Sequence, residues 1–186
     1  MKPLVILDRD GVINVESKYF IKSPEEWIAI PNSLAAIVKL NRAGFIVCVA
    51  TNQSGVARGL FTVETLGQIH AKMLRELAAL GGTIDEIIFC PHAPDEDCDC
   101  RKPKPGMIKS LLSTWHATSQ TTWIIGDSFR DLQAGLACGC QTILVKTGNG
   151  RLTLKEHPEL LKGLVYDNLH AAVDFLCDRY AKKQPH

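Results

Sequence analysis

The run Leu4-Val5-Ile6-Leu7-Asp8-Arg9-Asp10-Gly11-Val12 dictates the architecture of the whole chain. Four consecutive apolar β-formers without polar alternation describe a strand covered on both faces rather than one with a wet side. The charged run Asp8-Arg9-Asp10 ends it abruptly, and Gly11 supplies a turn. A strand buried on both faces belongs to a parallel sheet with helices packed above and below it.

The rest of the chain repeats that grammar. Residues 45–50, 84–89, 121–125 and 142–145 read as further buried strands, with a weaker one over residues 164–166. Between them, Asn32-Ser33 caps a helix carrying Leu34, Ile37, Val38 and Leu40 that stops at Gly44. Further helices are expected over residues 62–80, 106–115 and 131–138, and a last one comes after the weak strand. This alternation predicts a single α/β domain over residues 1–186, a doubly wound parallel sheet with right-handed crossovers. Residues 91–104 and 14–31 are long for plain connections, which marks them as functional.

Composition narrows the class. The 186 residues suit one domain. Lys plus Arg and Asp plus Glu stand at 21 against 20, a net charge of +1, so no basic face for nucleic acid or an anionic membrane is expected. The apolar run at residues 4–7 is too short for a signal peptide, and no stretch approaches the ~18 apolar residues of a membrane helix. A cytoplasmic monomer acting on a small molecule is the expectation.

Position supplies the function. Ligands of open α/β sheets bind beyond the carboxyl ends of the strands. Asp8 and Asp10 follow the first strand, Thr51 and Asn52 the second, Cys90 and His92 the third, and Asp127 the fourth. Acids that merely start loops or cap helices account for one such position, not for four on one edge. Two carboxylates two residues apart can share a divalent cation while one attacks phosphorus and the other moves protons. Magnesium takes oxygen ligands, which suits such a pair, a backbone carbonyl and Asp127.

The cysteines point to a second metal. Seven is an odd number for a disulfide framework, and three of them crowd between residues 90 and 100. Cys90-x-His92 and Cys98-x-Cys100 form a four-ligand set, the closed donor pattern of structural zinc. Such an ion folds the loop and holds Arg101 and Lys102 in place. Cys138 and Cys140 read as small buried residues, and His70, His116, His157, His170 and His186 as surface or helix histidines.

Asp8-Arg9-Asp10-Gly11-Val12, Thr51-Asn52-Gln53-Ser54-Gly55, Arg101-Lys102-Pro103 and Gly126-Asp127-Ser128 together resemble the motifs of the haloacid dehalogenase superfamily of phosphohydrolases, in order and over essentially the whole chain. The resemblance implies a haloacid dehalogenase-like Rossmannoid sheet without a large cap domain. It implies Asp8 as nucleophile and Asp10 as general acid and base. Thr51 and Lys102 would contact the phosphoryl oxygens, and magnesium would lie between Asp8, the Asp10 carbonyl and Asp127. Lys104 is a rival to Lys102, which the family pattern favours.

The cysteine loop further resembles the capless branch whose members dephosphorylate heptose bisphosphates of the lipopolysaccharide precursor route or histidinol phosphate, with the heptose enzymes nearer. That implies a small phosphorylated sugar as substrate, contacted by Glu16, Tyr19, Asn52, Gln53 and Ser54, with Arg101 on a distal phosphate. Ser128 stands where those enzymes often carry lysine, and the loop between His92 and Cys98 is short. Histidinol phosphate, an inactive phosphosugar-binding module and a nucleotide or nucleic-acid-end phosphatase are the rival readings.

Overall fold

Side chains of the first strand, β1 (Leu4–Leu7), alternate between two cores. The computed structural model describes residues 2–181; His186 lies outside them. Val5 and Leu7 pack with one set of helices, α1 (Ser33–Arg42), α2 (Val63–Ala79) and α6 (Leu169–Ala181), through Ile37, Ile69, Met73 and Val173. Leu4 and Ile6 face α3 (Gly106–Thr114) and α4 (Phe129–Leu136) through Met107, Ile108, Leu111 and Ala134. Burial on both faces is why the run is uninterrupted by polar residues. Truncating Leu7, with no exposed surface, costs about 2–5 kcal/mol by the usual cavity rule.

Six parallel strands form one sheet in the order β3-β2-β1-β4-β5-β6. The remaining strands are β2 (Ile46–Asn52), β3 (Glu86–Cys90), β4 (Thr122–Gly126), β5 (Gln141–Val145) and β6 (Leu164–Tyr166). The expected doubly wound α/β sheet is present, and among the described residues no large cap interrupts it. The chain winds outward from β1 to β3, then returns to β4 on the other side of β1. That reversal opens a crevice between the ends of β1 and β4. Leu7 pairs with Ile125, and the Asp8 amide donates to the Ile125 carbonyl at 3.0 Å, which sets Asp8 beside Asp127.

Several local expectations are corrected. Asn32 is the N-cap residue of α1 but makes no side-chain capping bond: it takes a left-handed φ of 66°, and Ser33 donates its hydroxyl to the Ile13 carbonyl at 2.6 Å. α4 begins two residues before the expected start, because Ser128 and Asp131 close a capping interaction ahead of it. A short helix, α5 (Gly150–Glu156), has no sequence counterpart; Leu152 points to solvent, so no apolar stripe announces it. Residues 14–31 form no long element. They bury Ile21 and Trp27 and are tied to α2 by Lys72, which donates to the Pro24 and Trp27 carbonyls.

Candidate active site

The turn after β1 is closed by the Arg9 carbonyl, which accepts from the amides of Ile13 at 2.8 Å and Asn14 at 3.2 Å. Gly11 permits this with φ of 79°, and it also leaves room for a neighbour. A Cβ on Gly11 would sit 2.1 Å from Asp127 Oδ2, and one on Gly148 would sit 2.2 Å from the same oxygen. The Asp127 carboxylate is therefore slotted between two glycines. The Asn149 backbone amide donates to Oδ2 at 2.7 Å, and Thr153 donates to the Asp127 carbonyl at 2.9 Å, so the start of α5 braces this acid.

Asp8 and Asp127 are joined by Asp131, with one carboxylate oxygen of each within 4.8 Å of the others. Sequence reasoning missed Asp131. Its signal is the acid four residues after Asp127, one helical turn into α4, and Gly126 makes space for it, since a Cβ there would meet Asp131 Cβ at 2.3 Å. Burial and the neighbouring Asp131 push the Asp8 carboxyl up to about 7, against the pull of Lys102. Burial, with Asp8 and Asp131, pushes Asp127 up to about 8. Carboxyls crowded this way lack positive charge, and a divalent cation bound by oxygen supplies it. Asp131 spends Oδ1 on Lys102 and Oδ2 on Ser128, leaving Asp8 and Asp127 as the acids able to face magnesium.

Lys102 Nζ lies 3.0 Å from Asp8 Oδ1, 2.7 Å from Asp131 Oδ1 and 2.7 Å from the Ala50 carbonyl. All three of its protons are engaged. Burial works against this charge, but Asp131 and Asp8 more than offset it and raise its pKa. Asn52 clasps the Lys102 backbone, donating to its carbonyl at 3.0 Å and accepting from its amide at 3.1 Å. Lys104 is exposed and pairs with Asp97, outside the cavity.

Asp10 is held differently. Arg9 donates to both its oxygens, Asn14 donates to Oδ1 at 2.9 Å, and Gln53 donates to Oδ2 at 2.8 Å. Burial alone would raise its pKa; Arg9, with the Asn14 and Gln53 amides, overcomes that and holds it below the usual range. Gln53 also donates to Thr51 Oγ1 at 2.9 Å, so the threonine's own proton remains available to an incoming oxygen.

The cavity enclosed by these groups has a volume of about 230 Å³ and is lined also by Glu16, Phe20, Ser54, Arg101 and Arg130. One expectation changes here. Tyr19 is 79% exposed and lies outside the cavity, whose wall is Phe20 instead. Asn52 and Gln53 line it as expected, with Asn52 bonded to the Lys102 backbone and the Gln53 nitrogen to Asp10 and Thr51. His70 is a helix histidine as expected, on α2, and it is buried against Arg9. Arg130 is an unpredicted cation on the rim, invisible in sequence because nothing distinguishes it from a solvated helix arginine.

Beside the cavity, Cys90 Sγ lies 3.8 Å from Cys98 Sγ and 3.5 Å from His92 Nδ1, which is 3.3 Å from Cys100 Sγ. A tetrahedron with the usual zinc–sulfur and zinc–nitrogen lengths has edges of about 3.8 and 3.6 Å, so the donor set fits zinc. All four atoms lie within 4.8 Å of one another, and the cysteines are unbridged. Gly106 lets the loop seat on α3, since a Cβ there would meet the Asp99 carbonyl at 2.3 Å.

The D-glycero-beta-D-manno-heptose-1,7-bisphosphate 7-phosphatase of Pseudomonas putida is 50% identical over 169 residues, 90% of this chain and 95% of that protein. A family model described as polynucleotide kinase 3 phosphatase matches residues 4–133. This chain belongs to the haloacid dehalogenase superfamily of phosphatases. A model described as HAD-hydrolase-like matches residues 99–172 of this phosphatase. The Bordetella bronchiseptica enzyme of the same name is 54% identical over 153 residues, 82% of this chain and 86% of that one. The crystal structure of D,D-heptose 1,7-bisphosphate phosphatase from B. bronchiseptica, complexed with magnesium and phosphate, superposes with a TM-score of 0.92 at 49% identity, covering 96% of this chain and 99% of that one. The superfamily is magnesium-dependent, and the phosphatase hydrolyses a phosphate monoester. Among the described residues no helix is long and apolar enough to cross a membrane.

Proposed function

We propose that this phosphatase removes the C7 phosphate of D-glycero-beta-D-manno-heptose 1,7-bisphosphate, a lipopolysaccharide precursor, through an aspartyl-phosphate on Asp8. It does so as a cytoplasmic, monomeric single-domain enzyme. The observation that carries the reading is the placement of Asp8, Lys102 and Asp127 at one crevice, in a chain half identical to enzymes named for that reaction.

The C7 phosphate enters beside Asp8. Lys102 stays charged and turns the N–H it gives Asp8 toward a phosphoryl oxygen while Asp131 and the Ala50 carbonyl keep the other two, and Thr51 donates its hydroxyl to another. Asp8 attacks phosphorus, the bond from phosphorus to the C7 oxygen breaks, and Asp10 gives that oxygen a proton. Asp10 takes that proton up from solvent as the negatively charged phosphate binds beside it and raises its pKa. Asp10, restored to its ion pair with Arg9, then takes a proton from the water that hydrolyses the acyl phosphate. Asp8, Asp127 and the Asp10 carbonyl would hold magnesium, which neutralises phosphoryl charge.

Arg101 and Arg130 face the C1 phosphate from the rim. Cys90, His92, Cys98 and Cys100 would hold zinc, and that loop carries Arg101 and Lys102 to the cavity. A second reading, a phosphatase of nucleic-acid 3′ ends, draws on the family model over residues 4–133. The small cavity and the charge of +1 speak against it. Phosphate release with magnesium from the heptose bisphosphate, histidinol phosphate and a 3′-phosphorylated oligonucleotide tests the choice. The expected order of kcat/KM places the bisphosphate first, and either alternative in first place overturns the proposal.

A further inference from the structure

Arg9 is fully buried, and its guanidinium divides its contacts between two residues. Nε and Nη2 grip the Asp10 carboxylate at 2.8–3.2 Å, while Nη1 lies 3.2 Å from Nε2 of His70. His70 comes from α2, sixty-one residues away, and its ring meets Phe89 of β3 edge-on at 6.2 Å. We infer that His70 is a positioning residue for the reaction: as a neutral acceptor behind Arg9, it aims the guanidinium at Asp10 and so keeps the proton-transferring carboxylate pointed at the leaving oxygen.

The chemistry requires a neutral partner there. Arg9 is always charged, so the bond forms only if His70 presents a lone pair at Nε2 and carries its hydrogen at Nδ1. Burial and the adjacent guanidinium both keep the ring uncharged, pulling its pKa down to about 4. A carboxylate in its place would compete for Arg9 and weaken the grip on Asp10. An apolar side chain would leave a buried N–H without an acceptor, and the guanidinium would tilt to find one. Asp10 would follow such a tilt, since Arg9 contacts both its oxygens while Asn14 and Gln53 hold one each.

The inference rests on Asp10 being the proton donor, and leaving-group dependence separates the two ideas. A sugar alkoxide needs a proton to depart; p-nitrophenolate does not. The burst of leaving-group release on forming the phosphoryl-enzyme is measured with sugar bisphosphate and p-nitrophenyl phosphate for wild type, Asp10→Asn, His70→Leu and His70→Gln. His70→Leu is expected to slow the sugar burst about tenfold, with the p-nitrophenol burst and KM within about twofold of wild type. His70→Gln, whose amide oxygen can accept from Arg9, recovers most of the loss. Equal slowing of both leaving groups, or no slowing of the sugar, in His70→Leu overturns the inference. If Asp10→Asn also fails to discriminate, the role assigned to Asp10 falls with it. His70→Met, unbranched and able to fill the space, carries the same test should His70→Leu not fold.

Discussion

Asp131 Oδ1 lies 2.7 Å from Lys102 Nζ, so the first turn of α4 grips the cation delivered by the cysteine loop. Both groups are almost fully buried, and neither has another route to neutrality as short as this one. Lys102 reaches the phosphoryl group, and Asp131 stands behind it. Their pairing fixes where the third ammonium proton points once Asp8 turns to the phosphate.

Asp131→Asn should therefore lower kcat by about a hundredfold, leave KM within a few-fold, and cost several kcal/mol of stability, since a buried ammonium loses one of its two counter-charges. Steady-state kinetics with a thermal melt of the same protein checks both. Unchanged kcat would show that Asp8 alone positions Lys102.

Replacing Asp8 by Asn removes the nucleophile without changing its shape. Phosphate release should fall by at least about a thousandfold, and no acid-stable phosphoryl-protein should accumulate on quenching. Residual turnover within tenfold of wild type would refute covalent catalysis.

Gly11→Ala places a methyl where Asp127 Oδ2 now sits, at a φ that disfavours any side chain. The acid must move. The magnesium concentration for half-maximal activity should rise about tenfold or more, while saturating magnesium recovers part of kcat.

Cys98→Ser should reduce bound zinc from one ion per chain to well below half, measured by metal analysis after purification without chelator. The melt should broaden and shift downward. Activity should fall through loss of Arg101 and Lys102 placement, so KM and kcat both worsen.

The acid cluster makes magnesium-free stability depend on pH, with a definite sign. Asp8 and Asp127 titrate near 7 and 8 in the folded chain, against 3.8 for an ordinary aspartate. Between those limits the folded chain holds more protons than the unfolded one, so stability falls as pH rises from about 5 to 8. Melts across that window, with zinc retained, should show the decline, and saturating magnesium should flatten it. A rise with pH in the metal-free protein would contradict the burial of these acids.

Much of this was legible from residue order. Uninterrupted apolar runs such as Leu4–Leu7 are strands because only two-sided burial tolerates them, and parallel strands of one sheet end on one edge. Asp8, Asp10, Thr51 and Asp127 could be placed together on that ground alone. The cysteine loop was equally plain, since metal donors two residues apart are local. Arg9 and His70 were not, because a buried arginine looks like a surface one until its partner, sixty-one residues further on, is known.

Local pattern alone thus set the strand count, the edge where chemistry gathers and the donor atoms available there. Which of those donors are already spent was settled by tertiary contacts. Lys102 has no free proton, Asn52 clasps the Lys102 backbone, Tyr19 lies outside the cavity, and Asp131 joins the site from a helix. A side chain's chemistry is written in its type, but its availability depends on every group within hydrogen-bonding reach, and those groups come from distant parts of the chain.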